Sequence, residues 1–110
     1  MITGQTWRRY QPAEIEEVPD APGIFELADA RMRTVYIGSS GTVSLRTSLM
    51  RHRRDRPDPC IAACAYFFRY EQAENSVAWR ARMLEAYQAA HKGRLPTCNS
   101  ALSDEHDAPA

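Results

Sequence analysis

Residues 23 to 38 constrain this chain most. Gly23-Ile24-Phe25 and Val35-Tyr36-Ile37-Gly38 lie in two short runs rich in branched and aromatic residues, separated by the polar turn Asp29-Ala30-Arg31-Met32-Arg33. The link is too short for the crossover helix that parallel strands require, so the two runs are predicted to pair as an antiparallel hairpin. Pro22-Gly23 stops any helix ahead of the first strand. Gly38 followed by Ser39-Ser40-Gly41 lets the backbone turn out of the second.

Around the hairpin the chain reads as β-β-α-β-α. Pro12 to Val18 carries a proline suited to a helix start, three glutamates and then Pro19, which predicts a short helical turn. Thr6-Trp7-Arg8-Arg9-Tyr10 fits either an added edge strand or a loose arm. Ser44 is a fair N-cap for a helix to about Arg54, with Leu45, Leu49 and His52 on one face, and Pro57 and Pro59 end it. Residues 64 to 71 have the aromatic content of a third strand. Asn75 or Ser76 opens a second long helix to about Lys92, closed by Gly93 and Pro96. The expectation is an α/β (α+β) domain: a small three-stranded, mainly antiparallel sheet flanked by helices. Residues 1–99 are expected to form this single domain, and residues 100–110 an acidic, disordered tail.

At 110 residues the chain has length for one core but not for a second catalytic lobe. No apolar run approaches the roughly 20 residues that span a bilayer, and the N-terminus lacks a signal-peptide core, so an intracellular, cytoplasmic protein without a membrane partner is expected. The formal charge is zero, with 14 basic and 14 acidic side chains. Three of the acids, Asp104, Glu105 and Asp107, sit in the tail, which leaves the rest mildly basic. Five arginines and His52 crowd residues 46 to 56, the pattern of a phosphate-facing surface or of a solvated helix face. Cys60, Cys64 and Cys98 are an odd count with no CxxC pair. Reduced, buried thiols are expected, ahead of a metal site assembled from Cys60 and Cys64 with Cys98 or His91.

Gly23-Ile24-Phe25, Tyr36-Ile37-Gly38, an Arg/His helix, an aromatic strand, a helix containing Leu84-Glu85 and the closing Pro96-Thr97-Cys98-Asn99 together resemble the GIY-YIG nucleases over residues 20 to 99. The resemblance implies a Mg²⁺- (or Mn²⁺-) dependent endonuclease that hydrolyses phosphodiester bonds in DNA. Tyr36 matches the family's second tyrosine, His52 the histidine of the first helix, Glu85 the metal-binding glutamate and Asn99 the asparagine that closes the domain. Two positions depart. Phe25 stands at the first tyrosine and lacks its hydroxyl, and Ser48 stands where the family has an arginine.

Helix geometry nominates Arg51 to replace that arginine, since it lies one turn later and leans back toward Ser48, with Arg46 as a second candidate. The expected catalytic group is therefore Tyr36, Arg51, Arg46, His52 and Glu85, with Glu85 also the metal ligand. Tyr36, His52 and Glu85 are expected to converge on one cleft. Ser39, Ser40, Arg53, Arg54 and Asn99 are the candidate nucleic-acid contacts. Ser39-Ser40-Gly41 serves equally as an ordinary strand-to-helix turn. The two departures also admit a catalytically degenerate module that keeps the fold and binds nucleic acid or protein. With little chain left over for specificity, weak sequence preference, a homodimer or a partner protein would each answer that need.

Overall fold

The computed structural model describes residues 6–55 and 58–101, without the side chains of 54, 55, 100 and 101. In chain order the elements are β1 (Arg8–Arg9), α1 (Pro12–Ile15), β2 (Gly23–Ala28), β3 (Thr34–Ser39), α2 (Leu45–Met50), a π-helical turn (Arg51–Asp55), α3 (Pro59–Cys64), β4 (Phe67–Gln72), α4 (Ser76–Ala90) and α5 (Thr97–Ala101). One sheet of order β1-β4-β2-β3 carries them, antiparallel throughout. This is the expected α+β architecture, with a fourth strand added. Arg8–Arg9 resolves the ambiguous N-terminal segment by pairing with Phe67 and Phe68 at the sheet edge.

The hairpin turn is built by Asp29. Its carboxylate accepts hydrogen bonds from the backbone N–H of Arg31 and Arg33 at 2.9 Å and from Arg33 Nε at 3.0 Å. These contacts, the Arg33 N–H above all, hold the carboxyl below its ordinary range, although burial opposes them. In the strands, Phe25 faces Gly38 and Leu27 faces Tyr36, but the register then shifts so that Ala28 meets Thr34. Val35 is the extra residue of this bulge, and both Val35 and Tyr36 join the core beside Phe25 and Leu27.

Alternation along the strands gives the sheet two covered faces. On one, Phe25, Leu27, Tyr36 and Phe68 pack with Leu45 and Leu49 of α2 and Ile61 of α3. On the other, Ile24 and Ile37 pack with Met83, Leu84 and Tyr87 of α4. Across that second face Glu26 pairs with Arg69 at 2.8 Å and accepts from the Thr34 hydroxyl at 2.6 Å, with the Arg69 guanidinium 4.3 Å from the Trp7 ring centre.

Three local expectations are revised. Residues 58–64 are not simply a proline-rich loop leading into a strand at Cys64, since β4 begins at Phe67: Asp58 N-caps α3, accepting from Cys60 N at 2.8 Å and Ile61 N at 3.3 Å, and Pro59 occupies the first turn. Pro59, expected from the sequence to be a helix stop, here starts one. The helix after Ser44 does not run uniformly to Arg54 but widens into the π turn at Arg51. Cys60 and Cys98 are joined as a disulfide rather than reduced, because α3 and α5 bring together residues 38 apart in sequence. The expected acidic tail falls largely on residues 102–110, outside the described residues. Among the described residues no helix is long and apolar enough to cross a membrane.

Candidate nucleic-acid interface

Phe25, Tyr36 and His52 meet as a triangle of rings. The centroids of Tyr36 and His52 lie 5.4 Å apart, those of Phe25 and His52 5.8 Å, and those of Phe25 and Tyr36 6.0 Å. β2 and β3 supply the first two rings from one face of the hairpin, and the π turn supplies the third. Gly38 is glycine for a local reason: a Cβ there would lie 2.5 Å from Phe25 Cζ and 2.7 Å from Tyr36 Cε2. The glycine leaves the space in which the two rings lie. Tyr36 is 1% exposed, so its contacts are with the interior and with half-buried His52.

The arginine candidates separate clearly. Ser48, at the position where an arginine is expected from the resemblance, is buried. Arg46 donates through Nε to the carbonyl of Val18 at 3.0 Å and so ties α2 to the segment that follows α1. Arg51 is half-buried at the start of the π turn and makes no hydrogen bond or ion pair with a described side chain. Arg53 donates through Nε to Tyr10 O at 2.9 Å, with its guanidinium carbon 6.0 Å from the Tyr10 ring centre. The side chain of Arg54 lies outside the described residues.

Arg53 opens onto a cleft of about 270 Å³ lined by Arg9, Tyr10, Gln11, His52, Arg53, Ile61, Ala62, Ala65 and Tyr66. Among the described residues, the lining includes two arginines, a histidine and two tyrosines, and no aspartate or glutamate. Tyr10 forms a buried wall, its hydroxyl donating to Leu49 O at 2.9 Å. Burial pushes its phenol well above the ordinary range, with the positive charge of Arg53 pulling the other way. Tyr66, by contrast, is 57% exposed and presents a large aromatic surface at the rim. Arg9 and Tyr10 are not among the site residues that the sequence nominates, whereas Tyr66 belongs to the aromatic run that could either stack on bases or fill the core. The interleaved Trp7-Arg8-Arg9-Tyr10 was the signal for Arg9 and Tyr10, but only strand pairing brings it beside the π turn.

The remaining candidates are placed elsewhere. Ser40 is buried and its Oγ accepts from Gly23 N at 2.9 Å, which fixes the turn out of β3; Ser39 ends that strand, half-buried. Asn99 is buried at the free edge of β3, with both ends of its amide bonded to Ile37. Glu85 is exposed. On α4 the buried side is formed by Ser76 and Met83, with Leu84 and Tyr87 half-buried against Ile24 and Ile37, and Glu85 falls on the opposite side with exposed Ala78, Ala81 and Arg82. Moreover, α4 covers the sheet face that Tyr36 does not occupy. The structure therefore brings Tyr36 and His52 together and leaves Glu85 apart from them.

A Mg²⁺ or Mn²⁺ ion wants several oxygen donors around it. An isolated exposed carboxylate on the outer face of α4 does not build such a site with Tyr36 and His52. Among the described residues, the only group of three metal-capable side chains is Cys60, Cys64 and Cys98.

No curated protein and no solved structure matches the chain. A family model does, over residues 1–92, which include β1, the hairpin, the cleft and α4. By that match, the chain belongs to the family described as Domain of unknown function (DUF7508).

Proposed function

We propose that this chain binds nucleic acid, DNA in the first instance, by gripping the phosphodiester backbone in the cleft between β1, the π turn and α3. The observation that carries the reading is the lining: Arg9, Arg53 and His52 line one depression in which the described residues include no aspartate or glutamate. Guanidinium groups neutralise phosphates and release their counterions, and an exposed ring such as Tyr66 offers a base a stacking surface. The order of elements and the Gly23-Ile24-Phe25 and Tyr36-Ile37-Gly38 runs support a GIY-YIG-like module, in which Phe25, Ser48 and the outward Glu85 favour binding over chemistry.

A second reading, endonucleolytic hydrolysis, is favoured by the 5.4 Å approach of Tyr36 and His52. His52, half-buried in the cleft lining beside the Tyr36 phenol, would be the group that takes a proton from an attacking water. The two readings separate in one experiment. Fluorescence anisotropy with labelled single- and double-stranded DNA, across a salt series, is expected to show binding that weakens steeply with salt. Absence of salt-sensitive binding to either form rejects the proposal. Plasmid nicking with Mg²⁺ or Mn²⁺, abolished in His52→Ala and Glu85→Ala, would replace the binding reading with the hydrolytic one.

A further inference from the structure

Three sulfurs, not two, converge where α3 meets α5: the Sγ atoms of Cys60, Cys64 and Cys98 all lie within 4.8 Å of one another. A disulfide accounts for Cys60 and Cys98, whose Cα atoms are 5.6 Å apart. It does not require Cys64, which lies one helical turn beyond Cys60 and on the same side of α3. We propose that in the reduced protein these three thiolates bind one zinc ion, and that the Cys60–Cys98 disulfide is the oxidised, metal-free state of the same site.

The geometry and the donor chemistry agree. Zinc–thiolate bonds of about 2.3 Å at tetrahedral angles put sulfurs roughly 3.8 Å apart, so three sulfurs already within reach of one another need only small shifts. An all-thiolate set selects a borderline-soft ion over Mg²⁺ or Mn²⁺. Cys98 is buried, whereas Cys60 and Cys64 are half-buried, which leaves an approach for the ion and a fourth position for water. The chemistry balances as follows. A dithiol reductant gives two electrons and two protons to the Cys60–Cys98 bond and is itself oxidised to a disulfide. The three thiols then release three protons as zinc binds. Either state ties α3 to α5 one residue before Asn99, which holds the edge of β3.

The test uses the full chain, reduced with a phosphine under argon, loaded with zinc and freed of excess metal. One zinc per chain is expected by elemental analysis in the reduced protein and none in the oxidised protein. Cobalt in place of zinc is expected to give the intense near-ultraviolet thiolate-to-metal band of three sulfur ligands. Cys64→Ser keeps the disulfide pair and should lose zinc affinity at least about tenfold. A reduced wild-type protein that holds no zinc, or a Cys64→Ser variant that holds it as tightly as wild type, overturns the proposal. Should Cys64→Ser fail to fold when reduced, the wild-type cobalt spectrum decides, since a band with the intensity of two thiolates or fewer also overturns it.

Discussion

Asn99 completes the edge of β3 with its side chain: Oδ1 accepts from Ile37 N at 2.8 Å and Nδ2 donates to Ile37 O at 3.0 Å, across 62 residues of sequence. The amide mimics one residue of a neighbouring strand. It satisfies the Ile37 N–H at a buried edge and gives the Ile37 carbonyl a donor. Arg80 Nε adds a second donor to the same carbonyl at 3.2 Å. Asn99→Ala should cost about 2 kcal/mol, because it strips two buried hydrogen bonds from the strand that carries Tyr36. Asn99→Asp should cost more, since a carboxylate cannot donate to Ile37 O. Urea denaturation checks both, and a loss below about 0.5 kcal/mol for Asn99→Ala would show that water replaces the amide at no cost.

Gly38→Ala tests the ring triangle. The added methyl would press on Phe25 and Tyr36, neither of which has room to withdraw from the core. A loss of about 1–3 kcal/mol is expected, the usual range for overpacking. Displacement of the Tyr36 and His52 resonances in an NMR spectrum would confirm that the strain falls there. An unchanged melting curve would show that the rings are mobile.

Tyr10 gives the alkaline limb of stability. Its phenol is raised in the folded state by burial, so the folded protein retains a proton that the unfolded chain releases above about pH 10. Stability from this source is complete below that pH and falls as pH rises toward the folded value. Tyr10→Phe should flatten the decline above pH ~10. At neutral pH it should cost about 1 kcal/mol through the lost bond to Leu49 O. Melting temperatures between neutral and strongly alkaline pH check both effects, and identical alkaline slopes for the two proteins would remove Tyr10 from the account.

The arginines should sort by where they stand: Arg53 lines the cleft, although its Nε also serves Tyr10 O, and Arg46 does not line it. Arg53→Ala is expected to weaken DNA binding and reduce the slope of log affinity against log salt by about 1, as for the loss of one phosphate contact. Arg46→Ala should leave that slope unchanged and cost about 1 kcal/mol in stability, because its Nε serves Val18 O. If hydrolysis is detected, Arg51→Ala should slow it more than it weakens binding, the signature of a contact that strengthens in the transition state. Equal effects from all three residues would reduce the cluster to a general positive field.

Local signals fixed the frame of this protein. The two β-prone runs with Asp29 at their turn, the aromatic run before Gln72 and the helix from Ser76 all lie within segments whose period and breakers agree, so their backbone states follow from neighbours in sequence. The resemblance expects Tyr36, His52 and Glu85 in one cleft; the rings of Tyr36 and His52 do lie together, 5.4 Å apart, and Glu85 does not join them. The face of α4 was not legible. On a helical wheel Glu85 borders an apolar arc through Val77, Ala81 and Leu84, but Val77 and Ala81 are exposed, and the helix turns Met83 and Tyr87 inward instead. With so weak an amphipathic pattern, the shape of the sheet surface at Ile24 and Ile37 chooses the buried side. The same holds for the disulfide, the Asn99 clamp and the basic cleft. Each joins residues tens of positions apart, and only packing in three dimensions sets the distances between them.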